Sequence, residues 1–167
     1  THVAGIIGAV NNNGKGMCGL AGGQDGNAGV KLMSCQIFMT NPQDPNADDI
    51  GGNSYNAIVW AADHGALICQ NSWSYKYKTA QDAAAGGGGA IKHAIDYFTK
   101  NAGCDIDGNQ VGLMKGGLVI FAAGNDGFAD GWPAEYEPCL AVGAADPSGN
   151  RAYYSNYGDW VDIAAPG

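Results

Sequence analysis

The chain has 167 residues, 46% hydrophobic and 14% charged, with 28 glycines and a net charge of -8. Such a composition excludes a disordered chain and favours one core-rich globular domain. The negative balance argues against nucleic acid and anionic membranes as partners, and no apolar run approaches the roughly 20 residues of a membrane-spanning helix.

Residues 1–10 place Val3, Ile6, Ile7 and Val10 at helical spacing, with small residues thinning the rest of the surface. Residues 11–16 form a loop. Residues 30–38 read as a strand, and residues 41–49 as a loop rich in Pro, Asp and Asn. Residues 50–65 read as a helix with Ala57, Ile58, Ala61 and Ala62 on one face. Residues 66–70 are a short strand, followed at once by Asn71-Ser72-Trp73-Ser74. The low-complexity stretch 83–89 leads into a helix over residues 90–100, with Ile91, Ala94, Ile95 and Phe98 as its apolar stripe. Residues 139–143 and 160–164 are two more short strands. Strands alternating with helices imply a largely parallel sheet with helical crossovers.

Several patterns carry less chemistry than their letters suggest. Residues 14–19 match GxGxxG, but the dinucleotide form follows a strand and opens a helix, whereas this one follows a helix. Asp105, Asp107 and Asn109 occupy alternate positions of a calcium loop, yet Gln110 stands where that loop needs Gly and Gly116 where it needs Glu. A solvated turn is expected there. His64 sits beside Gly65 at a helix end, where an imidazole can cap carbonyls; His93 lies off its helix's apolar stripe and is expected in solvent. No two of the five cysteines lie closer than seventeen positions, which excludes CxxC and zinc spacing. Cys35, Cys69 and Cys139 lie in apolar runs and are expected as buried free thiols.

The stretch around which the chain is organised is residues 118–127. Leu118, Val119, Ile120 and Phe121 read as a fully buried strand, and after Ala122 and Ala123 a Gly-Asn-Asp-Gly turn stops it. Small residues at the end of a buried strand let another group approach the backbone. The Asn125 amide can donate hydrogen bonds into that crevice, and open α/β sheets hold ligands at the carboxyl ends of their strands. Taken alone, the stretch is more simply a strand and a tight turn.

Together, these pieces resemble the middle of a subtilisin-like serine protease (subtilase). Residues 1–5 resemble the second half of the motif H-G-T-H-V-A-G, and Asn71-Ser72-Trp73-Ser74 the strand that lines the substrate groove. Ala122-Ala123-Gly124-Asn125-Asp126-Gly127 resembles the oxyanion motif A-A-G-N-x-G. Residues 132–144 resemble Y-P-A-x-Y...A-V-G-A, and residues 164–167 the A-P-G segment. The five matches run in the family's order along the whole chain. The resemblance implies an α/β fold, three-layer α/β/α around a mostly parallel sheet and incomplete, with residues 1–167 as the central part of a single peptidase domain. In the family the catalytic His is the first of H-G-T-H, before Thr1. The catalytic Asp belongs to an earlier segment, and the nucleophile to a G-T-S-M-A motif after A-P-G. His2 matches the second His, which is not the base, and no serine of the chain sits in such a motif. The expectation is a groove and an oxyanion donor without a triad, and no peptidase activity in the isolated chain.

The resemblance also assigns roles. Asn125 would donate to the oxyanion. Ser72, Trp73 and Ser74 would present an edge to which a substrate peptide adds as a strand. With Ala122, Ala123 and Gly124 they would wall the S1 pocket, with Gly131 near its floor. Such walls suit a large apolar P1 side chain, and Asp126 at the rim could favour Lys; Ser74 stands where the family usually has Gly. Asn11 and Asn12 resemble a calcium loop one residue longer than usual, and Ala134, Tyr136 and Asp162 match a weaker cation site made mostly of carbonyls. No cofactor is expected for catalysis. The partners implied are a peptide or protein substrate, the remaining segments of the domain, and further copies of the chain through exposed core surface. The location implied is secreted, periplasmic or cell-surface. The competing interpretations are a pseudoprotease that keeps the groove for peptide binding, and an unrelated α/β ligand-binding domain.

Overall fold

The computed structural model describes residues 2–39, 50–75 and 89–167. The loop expected at residues 41–49 and most of the low-complexity stretch at 83–89 lie outside them. The chain forms two compact units, Thr1–Cys35 and Gln36–Gly167.

In the first unit the small residues of α1 (His2–Gly8) let other chain segments come close. A Cβ on Gly5 would lie 3.2 Å from the sulfur of Met17, and one on Gly8 would lie 3.1 Å from Leu32. The amides of Gly19, Leu20 and Ala21 donate to the carbonyls of Ala9, Ile6 and Ile7 at 3.0, 2.9 and 2.8 Å. They satisfy carbonyls that the end of a helix leaves without partners. The GxGxxG letters at residues 14–19 fall in the loop after this helix and open no helix of their own.

The strand expected over residues 30–38 is mostly absent. Only Phe38–Met39 (β1) is extended and paired, antiparallel to Ile50–Gly51 (β2). An apolar run becomes a strand only where a neighbour supplies rungs for its amides and carbonyls. Among the described residues no strand pairs with 30–36: the Val30 amide donates to Ala21 at 2.8 Å and the Ile37 carbonyl accepts from Gly52, but no ladder forms between them, and Val30, Leu32 and Met33 stay exposed.

In the second unit α2 spans Ser54–Asp63. The expected helix loses its first turn because Asn53 caps it, its side chain accepting from the Asn56 amide at 2.9 Å, while Ile50–Gly51 pairs as a strand. His64 closes the other end as expected. Its Nδ1–H donates to the Trp60 carbonyl at 2.7 Å, and its ring stacks on the Trp60 indole with centroids 3.8 Å apart. Helix α3, Gly89–Asn101, buries the anticipated stripe of Ile91, Ala94, Ile95 and Phe98, and His93 is exposed. It packs against α2, and the Tyr97 hydroxyl donates to Asp63 at 2.7 Å, which raises the Tyr97 pKa.

Four strands complete the unit: β3 (Ile68–Asn71), β4 (Leu118–Ala122), β5 (Cys139–Ala145) and β6 (Ile163–Pro166). They form one sheet in the order β3-β4-β5-β6, every pair parallel, as the alternating pattern implied. The register sets Asn71 beside Phe121, and Phe121 beside Ala141. Val119, Phe121, Cys139 and Ala141 are buried, and α3 contacts β4. Strand β6 starts three residues later than expected. Trp160 and Val161 belong to a turn, with the Val161 amide donating to Gly158 and the Trp160 indole N–H donating to the Ala129 carbonyl at 2.8 Å. Of the three cysteines expected inside, only Cys139 is buried; Cys35 and Cys69 are half-exposed. Burial pushes the Cys139 thiol up to about 12.

Candidate active site

Parallel strands end on the same side, so β3 and β4 deliver their following segments side by side. Asn71, the last residue of β3, is buried. Its amide nitrogen donates to the carbonyls of Cys69 (3.1 Å) and Ile120 (3.3 Å), and its oxygen accepts from the Trp73 indole N–H at 3.0 Å. The Trp73 ring meets Phe121 of β4 edge-to-face, centroids 5.1 Å apart, and Tyr75 in the same manner at 5.8 Å. A hydrogen bond and aromatic contacts thus hold the indole. The Ser72 hydroxyl accepts from Gln70 at 2.7 Å.

Beyond β4 the Ala123 amide still donates to Val142 at 2.9 Å, so the ladder continues one residue into the turn. The turn follows at Gly124, φ +110°, in a region that suits glycine. Asn125 and Asp126 are exposed at its crest. Beneath them lies Asn156, only 4% exposed. Its side-chain oxygen accepts from the amides of Asp126 (2.9 Å) and Phe128 (3.1 Å), and its side-chain nitrogen donates to the Asp130 carbonyl at 3.0 Å. The Asn156 backbone amide donates to the Gly124 carbonyl, also at 3.0 Å.

Gly131 is buried against the same turn. A Cβ there would sit 2.5 Å from the Ala123 carbonyl oxygen and 2.5 Å from the Trp160 ring, so only glycine lets the two segments meet. The site therefore brings Ala122, Ala123, Gly124, Asn125, Asp126 and Gly131 together, next to the segment of Ser72, Trp73 and Ser74 that leaves β3. Asn125 is thus an exposed, amide-bearing residue on the turn after β4, at the same end of the sheet as the segment that leaves β3.

Of the residues named for cations, Asn12 belongs to the first unit and Ala134, Tyr136 and Asp162 to the second. Asn12, φ +56°, donates to Asp25 at 3.0 Å, while the side-chain oxygen of Asn11 is buried without a partner. Asp162 clamps β5, its carboxylate accepting from the Ala141 amide at 2.7 Å and its own amide donating back to the Ala141 carbonyl at 3.1 Å. The Tyr136 carbonyl accepts from the Cys139 amide at 2.8 Å, and its hydroxyl donates to Asp96 at 2.6 Å, which pushes the phenol up to about 12. Ala134 is buried. Among the described residues no group of three His, Cys, Asp or Glu side chains could hold a metal ion. Asp105 makes the anticipated turn, accepting from the amides of Asp107 and Asn109 at 3.0 and 2.9 Å; bonds from Asn109 hold its carboxyl below the usual range.

Two side chains of the site were not visible as such in the sequence. Asn156 lies in an ordinary Tyr-Ser-Asn-Tyr run, and Asn71, read only as the residue that opens the groove motif after the strand at 66–70, shows nothing of its hold on Trp73. Each is flanked by polar residues, Gln70 and Ser72 or Ser155 and Tyr157, so the sequence sets neither apart and names no partner.

The family model described as the Subtilase family matches residues 1–167. A thermophilic serine proteinase of Bacillus sp. (strain AK1) is 32% identical over 168 residues, covering 100% of this chain and 33% of the relative. An extracellular basic protease of Dichelobacter nodosus is 31% identical over 172 residues, covering 100% of this chain and 24% of the relative. The crystal structure of a psychrophilic subtilisin-like protease from the Antarctic psychrotroph Pseudoalteromonas sp. AS-11 superposes with a TM-score of 0.61 at 25% identity, over 100% of this chain and 31% of that one. The chain belongs to the subtilase family. It spans a third or less of the length of each of these three proteins.

Proposed function

We propose that this chain supplies the substrate groove and the oxyanion donor of a serine endopeptidase. The observation that carries the reading is the exposed Asn125 amide, on a turn at the carboxyl end of β4, beside the Trp73-walled segment after β3. A peptide would add along residues 72–74 as an extra strand. When a serine attacks its carbonyl, negative charge grows on the oxygen, and a fixed amide donor stabilises that charge more than it stabilises the ground state. The nucleophile and base come from other segments of the domain. None of the three histidines here fits the base: His64 is engaged with the Trp60 carbonyl, His93 is exposed on α3, and His2 resembles the family's second His. We therefore expect no turnover by the isolated chain.

Alanine and glycine walls, with Gly131 flush against Ala123, suit a large apolar P1 side chain; Asp126 adds tolerance for Lys. A cation at residues 11–12 fits the buried, unpartnered oxygen of Asn11 together with Asn12, and would brace the loop. Such a site is expected to bind calcium on the order of millimolar, seen as a rise in thermal midpoint on adding calcium chloride. At the second location Asp162 and the Tyr136 carbonyl already accept backbone amides, so a cation would share those oxygens. Kinship with a relative named as extracellular supports a protein exported from the cytoplasm.

The test is turnover of peptides with Phe, Leu, Lys or Glu at P1. The full polypeptide that contains this chain should cleave after Phe or Leu fastest and be inactivated by a sulfonyl fluoride. Turnover by the 167-residue chain alone, or a full polypeptide indifferent to the sulfonyl fluoride, would contradict the reading.

A further inference from the structure

We infer that Asn156 is the positioning residue of the oxyanion donor, an inference that rests on the protease reading above. An exposed asparagine can aim its amide only if its own backbone is held. Asn125 sits between Gly124 and Asp126, and Asn156 grips both sides of it. The Asn156 amide donates to the Gly124 carbonyl at 3.0 Å, and its side-chain oxygen accepts from the Asp126 amide at 2.9 Å. The same oxygen takes the Phe128 amide at 3.1 Å, and the side-chain nitrogen donates to the Asp130 carbonyl at 3.0 Å. The planar side-chain amide therefore ties together three residues of the turn that carries the donor, and the backbone amide of the same residue holds a fourth, Gly124.

The fit is exclusive on both sides. A Cβ on Gly124 would lie 2.5 Å from the Asn156 side-chain nitrogen, so glycine at 124 makes room for the asparagine. Asparagine alone among residues of this shape offers both the acceptor and the donor that the turn uses; aspartate lacks the donor and leucine both. The Asn156 side chain reaches its three partners from 26 to 30 residues away in sequence, on the segment between β5 and β6. The turn's geometry is therefore set by the folded sheet, and the donor is aimed before substrate arrives.

Misplacing a catalytic group by about 1 Å can cost on the order of 100-fold in rate. In the full polypeptide, Asn156→Ala should lower kcat by about that factor with KM changed by less than about threefold. Amide exchange at Asp126 and Phe128 should accelerate. In an Asn125→Ala background the same substitution should lower kcat by less than about fivefold, because the donor it positions is gone. Asn156→Asp, which keeps the acceptor for both amides, should retain their protection and lose less kcat; it guards against an alanine variant that fails to fold. An undiminished loss of kcat in the Asn125→Ala background would overturn the inference, as would unchanged exchange at both amides. A wild-type polypeptide with both amides protected but no turnover would instead refute the protease reading while leaving the hold of Asn156 on the turn intact.

Discussion

Gly124 and Asn71 are where single side chains decide the shape of the groove. At Gly124 a methyl group meets two obstacles: a φ of +110° and the Asn156 amide 2.5 Å away. Gly124→Ala should cost about 2–5 kcal/mol, combining the strain of that backbone region with overpacking. The check is the chemical-denaturation midpoint; a loss below about 1 kcal/mol would mean that the turn relaxes freely. Asn71→Leu should cost about 1–3 kcal/mol, because it strands the Trp73 indole N–H that now donates at 3.0 Å. Legibility differs sharply among these residues. The turn that carries Asn125 was readable because its signal is local: an apolar strand, two alanines and a glycine-flanked turn, although only alternate residues of that strand, Val119 and Phe121, are buried. Asn156 was not, because everything that gives it a role lies some thirty residues upstream and is brought to it by a parallel sheet.

Elements were legible in proportion to how much of their own partner the sequence carried. Helix α3 has a stripe at i, i+3, i+4 and i+7, and the stripe is the buried face. Its contribution is testable within one turn: Phe98→Ala, a fully buried ring, should cost about 3–5 kcal/mol. Tyr97→Phe, which removes one hydroxyl bond to Asp63 at the surface, should cost about 1 kcal/mol or less. Equal losses would show that α3 does not dock through that stripe. The run at 30–38 failed as a strand for the converse reason. Its residues are apolar enough, but a strand needs rungs on a neighbour, and composition does not say whether one is there. The shift of β6 to Ile163 has a similar cause, since Trp160 is held by Ala129 across the turn, out of reach of any local pattern.

For the whole molecule, pH exposes the buried end of the sheet. The folded state raises the Cys139 pKa from 9.0 to about 12 by desolvation, and the Tyr136 pKa from 10.0 to about 12 through its bond to Asp96. Both shifts favour the protonated form in the folded chain. Their stabilisation is complete below the unfolded values, near pH 9 and 10, and is lost as pH climbs toward 12. The denaturation midpoint should therefore fall across that window, and Cys139→Ala should flatten the part that begins near pH 9. An unchanged pH profile in the variant would remove burial of the thiol as the cause.

Apolar side chains also bear on assembly. Ile68 on β3 and Ile163 on β6, the two outer strands of the described sheet, are 60% and 50% exposed. The isolated chain should self-associate through such surface, and light scattering that gives only the monomer mass would count against it. The parallel order and its helices were readable from the alternation of periods, whereas the division into two units was not, because contact density leaves no mark on composition.

The central claim, that Asn125 stabilises an oxyanion, is tested most directly by the kinetics of Asn125→Ala in the full polypeptide. Loss of such a donor lowers kcat by the order of 10² to 10³, a size already established in a subtilisin and adopted here as the scale. The account predicts a fall of that order with KM within about threefold of wild type. A kcat left unchanged, or a loss carried entirely by KM, would contradict it.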